Sequence, residues 1–310
     1  MQTLRAAPWQ LWFLVLGAIW GCSFLFIKLG LQSFTPVQVA FGRVTIGALV
    51  LLAILRATGT PLPRGRETWK HLSVVALLFC SIPFTLFAYG ETQVSSILAG
   101  IINAGTPLAT LLVVMVAFPA ERPGREGIAG LGVGFVGVLV VVGAWNGMGG
   151  GELLGVLACA GAILCYGIAW PYTRHHLAGV PEGPIAIAAA QVSLGSLFLL
   201  PVVVVVTLVG GNVPAAPVAT DTIVGMLALG ALGSGIAYVL SNHLVIEAGA
   251  TIASSVTYVT PLFAVAAGSA FLSEPLEWYQ PVGGAIVLLG VAISQGRVRL
   301  PRRSGVPVVP

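Results

Sequence analysis

The sequence predicts an all-α integral membrane protein of ten transmembrane helices, built as two inverted five-helix repeats with both termini cytoplasmic. Three observations predict this: long continuous apolar runs, a one-sided distribution of basic residues, and a set of motifs that occurs twice in the same order. The 310 residues are 57% hydrophobic and only 8% charged, with a mean hydropathy of +1.00. That composition suits a bilayer and excludes an ordinary water-soluble domain. A helix needs about 20 apolar residues to cross the hydrocarbon core. Ten such runs fall at roughly 11–32, 36–56, 70–91, 94–117, 126–144, 152–175, 184–209, 222–246, 248–272 and 279–297. Membrane strands would alternate polar and apolar residues instead.

The formal net charge of +4 is explained by where the charges fall. Arg5, Arg56, Arg64, Arg66, Lys70, Arg122, Arg125, Arg174, Arg297, Arg299, Arg302 and Arg303 lie at the termini or in connectors after even-numbered spans. The opposite connectors carry essentially none, which is the positive-inside pattern and places both termini in the cytoplasm. No nucleic-acid partner is needed to account for the basic residues; the expected surroundings are lipid. Trp9, Trp12, Trp69, Trp145 and Trp278 fall at span ends, where indoles anchor at the interface. The start of the chain lacks the pattern of a cleaved leader, so span 1 is expected to be retained. Cys22, Cys80, Cys159 and Cys165 lie inside apolar runs without Cys-x-x-Cys spacing. Neither a metal site nor a disulfide framework is indicated, and no cofactor motif is present.

Span 4 is interrupted by Asn103-Ala104-Gly105-Thr106-Pro107-Leu108, and span 9 by Thr260-Pro261-Leu262. A proline in a helix cannot donate to the carbonyl four residues back. Pro107 and Pro261 are therefore expected to free the carbonyls of Asn103 and Thr257 and to act as hinges.

The same spacing runs through the rest of the chain. Trp20-Gly21 and Lys28 recur as Tyr166-Gly167 and Arg174 at an offset of 146 residues. Pro36, Arg43 and Gly47 recur as Pro184, Gln191 and Gly195 at an offset of 148. The two prolines are offset by 154, while Glu121 with Glu274, Gly130 with Gly283 and Gly137 with Gly290 are offset by 153. An ordered series of this kind is an internal duplication. It gives a first repeat at 9–145, a glycine-rich connector at 146–151, a second repeat at 152–297 and a cytoplasmic tail at 298–310. Because five spans is an odd number, the second repeat enters the membrane from the opposite side. Inverted repeats with broken helices at the midplane are the architecture of alternating-access transporters, with substrate at the repeat interface.

Trp20-Gly21 with Phe24, the two Thr-Pro-Leu breaks, Phe271-Leu272-Ser273-Glu274-Pro275-Leu276 and the glycine-spaced spans 5 and 10 resemble a pair of EamA-type domains. Those domains belong to the drug/metabolite transporter superfamily, and the resemblance covers nearly the whole chain. Its closest branch is the bacterial inner-membrane exporters of aromatic and other amino acids. The resemblance implies ten helices, an inner-membrane location and export of small molecules from the cytoplasm. The first half departs from the pattern at Phe118-Pro119-Ala120-Glu121-Arg122-Pro123, which carries one extra residue.

Candidate site residues are polar or aromatic groups deep in the spans, where lipid cannot satisfy them. Trp20 and Phe24 share a face of span 1 with Lys28, and Tyr166 and Trp170 share a face of span 6. Tyr238, Asn242 and His243 in span 8, Thr257 and Tyr258 in span 9, Asn103 in span 4 and Tyr89 in span 3 supply hydrogen-bonding groups. Ser234 and Ser254 are assigned instead to contacts between helices. Arg43, matched by neutral Gln191, is assigned a structural role, and Lys28 either snorkels or attracts a substrate carboxylate. The carboxylates, Glu91 among them, fall at span ends or in connectors, so transport is expected to be weakly coupled or uncoupled to ions. The glycines of spans 5 and 10 suit close helix packing, against each other or against a second protomer.

No phosphate-binding Gly-x-x-x-x-Gly-Lys loop exists, which removes an ATP-driven pump. The rival transport reading, efflux of lipophilic cations, usually calls for an intramembrane carboxylate. A nucleotide-sugar carrier would want more basic groups. A distant alternative from another class is an intramembrane serine protease using Ser23 and His243, although the duplication explains the Gly21-Cys22-Ser23 outline better. The expected function is non-enzymatic.

Overall fold

The computed structural model describes residues 8–117, 125–141, 143–146, 149–177, 179–210, 218–248, 255–294 and 298. Among them there is no strand. The connector 118–123 with Glu121 and Arg122, Ser254, Arg5 and the tail beyond Val298 lie outside the described residues.

The helices are α1 (Trp9–Gly30), α2 (Pro36–Thr58), α3 (Arg66–Ala76), α4 (Ile82–Gly90), α5 (Ser96–Asn103), α6 (Thr106–Ala117), α7 (Arg125–Val141), α8 (Gly150–Leu177), α9 (Gly183–Val209), α10 (Thr220–Gly230), α11 (Ala237–Ala248), α12 (Thr260–Phe271) and α13 (Tyr279–Ser294). Six helical stretches are long and apolar enough to cross a membrane: 9–30, 36–58, 66–90, 150–177, 183–209 and 220–244. The pair α5 and α6 forms a further stretch bent by 40°. Shorter apolar helices cover 126–141, 256–271 and 279–290. The chain is a multi-pass membrane protein.

Local sequence sets several boundaries. Thr35 and Gln38 form a capping box ahead of Pro36, and Gly59 ends α2 at φ 65°, a left-handed conformation that costs glycine least. Ser95 caps α5 by accepting from the Leu98 amide at 3.1 Å. Helix α8 begins at Gly150. The Trp69 indole donates to the Pro63 carbonyl at 2.8 Å, so it holds a local loop as well as standing at a span end.

Two features were not anticipated. Leu77–Ser81, between α3 and α4, and Ala231–Ile236, between α10 and α11, are π-helical turns inside otherwise continuous spans. Each inserts an extra residue per turn and re-aims the side chains beyond it. They sit at matching places in the two halves.

Glycines fix the closest helix crossings. A Cβ on Gly137 would lie 2.6 Å from the Val287 amide nitrogen, and one on Gly290 would collide with the Gly134 amide nitrogen. Helices α7 and α13 therefore pack on each other, backbone against backbone. A Cβ on Gly21 of α1 would fall 2.6 Å from the Thr260 carbonyl oxygen of α12, and one on Gly167 of α8 would fall 2.8 Å from the carbonyl carbon of Ala109 in α6. Each Trp/Tyr-Gly pair thus seats its helix next to the proline break of the other half.

Candidate functional site

Both proline breaks differ from the sequence expectation in one respect. The carbonyl of Asn103 is freed from the helical ladder, but the Thr106 hydroxyl donates to it at 2.7 Å. The Thr257 carbonyl accepts from the Thr260 hydroxyl at 2.9 Å. Thr106 and Thr260 are wholly buried. The threonine before each proline therefore caps the carbonyl that the proline releases, because a buried unpaired carbonyl is costly. Those two oxygens are not bare ligand groups.

Between the halves lies a cavity with an empty volume of about 510 Å³, counting the space at its opening. Its walls are Trp20, Ser23, Phe24 and Ile27 of α1, Arg43 of α2, Phe79 of the first π turn, Phe84 and Phe87 of α4, Asn103 of α5, Tyr166 and Trp170 of α8, Tyr238 of α11 and Thr257. The aromatic rings touch one another. Phe79 meets Trp170 edge-on at 4.9 Å, Phe24 meets Phe87 at 5.5 Å, and Tyr238 meets Trp20 at 6.4 Å between centroids. Such edge-to-face pairs hold their geometry as well as burying surface.

Of the residues expected from sequence, Trp20, Phe24, Asn103, Tyr166, Trp170, Tyr238 and Thr257 are brought together on these walls. Four are not. Tyr89 is 40% exposed, since two residues after Phe87 the helix has turned by about 200°. Asn242 spends its amide on the Tyr238 carbonyl at 2.9 Å. His243 lies one turn from Glu247, with Nε2 3.3 Å from a carboxylate oxygen. Tyr258 packs near Leu108 and Val287. The serine-protease pair is not assembled: Ser23 lines the cavity and donates to the Ile19 carbonyl at 2.9 Å, whereas His243 is not on its walls. Among the described residues, no group of three or more His, Cys, Asp or Glu is placed to hold a metal ion.

Sequence reasoning missed Arg43 as a wall residue. Its guanidinium is buried, stacks 3.6 Å above the centre of the Phe84 ring, and donates from Nε to the Ser234 hydroxyl at 2.9 Å. A longer contact runs from Nη2 to the Gly233 carbonyl at 3.4 Å. Both acceptors belong to the second π turn, which exposes them at the right depth. Two of the five guanidinium N–H groups are used in this way. Ser234 is thus the interhelical contact expected of it. The Tyr238 hydroxyl donates to the Phe79 carbonyl of the first π turn at 2.9 Å, so its ring faces the cavity while its hydroxyl holds the wall. The pairing of Arg43 with Gln191, two buried polar residues at matching repeat positions, is the sequence signal that pointed here.

Lys28 is not on the cavity wall. Its ammonium donates to the carbonyls of Glu91 at 2.6 Å and Val94 at 2.9 Å, tying the end of α1 to the turn between α4 and α5. It neither reaches into the site nor runs free to the interface.

Comparison with known proteins agrees with this architecture. The model of the EamA-like transporter family matches the chain twice, over residues 7–143 and 153–295. An uncharacterized transporter of Archaeoglobus fulgidus is 27% identical over 288 residues, covering 90% of this chain and 94% of its own. The uncharacterized inner membrane transporter YedA of Escherichia coli strain K12 is 27% identical over 300 residues, covering 94% and 91%. One solved crystal structure superposes with a TM-score of 0.64 at 19% identity, over 93% of this chain and 96% of that one, and shares its fold. This chain is therefore a member of the EamA-like transporter family, a membrane transporter family.

Proposed function

We propose that the protein is a secondary transporter of a bacterial inner membrane that exports amino acids, aromatic and other neutral ones, or closely related carboxylate-bearing metabolites. In this reading ten spans form two inverted five-helix repeats with cytoplasmic termini, and the repeats rock about the central cavity. The double match of the family model, the paired π turns and the paired Gly-to-proline-break crossings support the repeat.

The observation that carries the substrate class is the cavity wall itself. Among the described residues, Arg43 is the charged residue on it and no carboxylate lines it. A carboxylate entering from water would gain a charge-assisted contact with a desolvated guanidinium. An apolar or aromatic side chain would pack against Trp20, Tyr166 and Trp170. Asn103 and Thr257 lie on the same walls as hydrogen-bonding groups. A lipophilic cation would instead meet the Arg43 charge with nothing to offset it. The test is uptake of labelled phenylalanine, tryptophan and threonine, and of a lipophilic cation, into proteoliposomes. Amino-acid flux that falls in Trp170→Ala supports the reading. Flux of the cation alone overturns the substrate class.

A further inference from the structure

The end of the bundle where α4 turns into α5 holds a carboxyl group that the cavity does not explain. Glu91, one residue beyond the stretch 66–90, is 0% exposed, and neither carboxyl oxygen has a hydrogen-bond partner. The basic-residue pattern puts this end away from the cytoplasm.

The surroundings of Glu91 are specific. From α1, the Lys28 ammonium bonds its backbone carbonyl and leaves the carboxyl group unpaired. From α8, Cys159 is 0% exposed and packs so tightly that a Cβ on Gly90 would lie 2.6 Å from its sulfur. Beyond α12, the Glu274 carboxylate clamps the start of α5. Its Oε1 accepts from the Ser96 amide at 3.0 Å, and its Oε2 from the Ser96 hydroxyl at 2.8 Å and the Ile97 amide at 3.1 Å. Lys28, Glu274 and, from α2, Arg43 are the charged groups whose fields reach Glu91. An ionised Glu91 would add a second negative charge, dry and unbonded, beside a clamp that depends on a carboxylate.

We propose that Glu91 is a proton-binding site that holds this end of the transporter closed when occupied and releases its proton when the end opens to water. Opening lets Lys28 leave its two carbonyls and meet the ionised carboxylate, so the ion pair forms only in the open state. The proposal departs from the expectation of weakly coupled or uncoupled transport, which rested on the carboxylates falling at span ends or in connectors.

Cys159 reports the state of this end without any substrate, which keeps the test separate from the substrate assignment. The purified protein in detergent is treated with N-ethylmaleimide from pH 5 to pH 9, and modification of Cys159 is measured by peptide mass spectrometry. Glu91→Gln, locked neutral, corrects for the intrinsic pH dependence of the thiol. The ratio of wild-type to Glu91→Gln rates should rise with pH, by up to about tenfold per pH unit for one linked proton. A ratio that stays flat with pH overturns the proposal.

Discussion

Glu274→Gln breaks the clamp on α5 while keeping its shape. The carboxylate accepts three hydrogen bonds, two from backbone amides in the first turn of α5 and one from the Ser96 hydroxyl. A glutamine has one acceptor oxygen. In one orientation it loses the Ser96 amide bond, in the other it loses the two bonds to Oε2, and in both an N–H faces a donor. Hydrogen bonds to a charged group are worth about 1.5–3 kcal/mol each, and a negative charge at a helix N-terminus adds about 0.3–1 kcal/mol. Because the group is only partly buried, about 2 kcal/mol is the expected loss after solvent screening. For a chain of this size that lowers the apparent unfolding midpoint in detergent by about 3 °C, read by intrinsic tryptophan fluorescence. Glu277→Gln is the control, since that carboxylate is exposed and makes no side-chain bond in the described structure. A Glu274→Gln midpoint within about 1 °C of the control would refute the clamp.

Thr106→Val and Thr260→Val strip the caps from the carbonyls of Asn103 and Thr257, and each should cost about 1 kcal/mol in the same assay; an unchanged midpoint in both would restore the carbonyls as free groups. Gly21→Val pushes α1 off the Thr260 carbonyl and should destabilise the protein by about 1–3 kcal/mol, seen as loss of the monodisperse peak in size-exclusion chromatography at elevated temperature. Tyr89→Phe removes a hydroxyl outside the cavity and should leave flux of any substrate within about twofold of wild type, a change of under about 0.5 kcal/mol.

Much of the framework was legible because helical periodicity and charge placement act over many residues at once. Trp20 with Phe24, and Tyr166 with Trp170, follow the four-residue repeat of a helix face and do reach one cavity. Short-range chemistry was harder to see. The threonine in each Thr-Pro-Leu was read with its proline as a break, yet its hydroxyl closes the carbonyl that the proline opens. The π turns leave no compositional mark, so Phe79 and the Ser234 partner of Arg43 could not be placed. The sequence places Glu91 at a span end and gives no sign of its burial, whereas close packing around Gly90 seals it. Tyr89 was chosen for its residue type, and helical rotation carries it away from the side of Phe87.

In the proposed function the cavity takes a carboxylate on Arg43 and a side chain among the rings. That reading is tested most directly by comparing flux of phenylalanine with flux of phenylalaninamide in proteoliposomes, for wild type and for Arg43→Gln. Wild type is expected to prefer the carboxylate by about tenfold or more, as one charge-assisted hydrogen bond implies, and Arg43→Gln to lose the preference. Equal flux of the two compounds through wild type, or a preference that survives in Arg43→Gln, would contradict it.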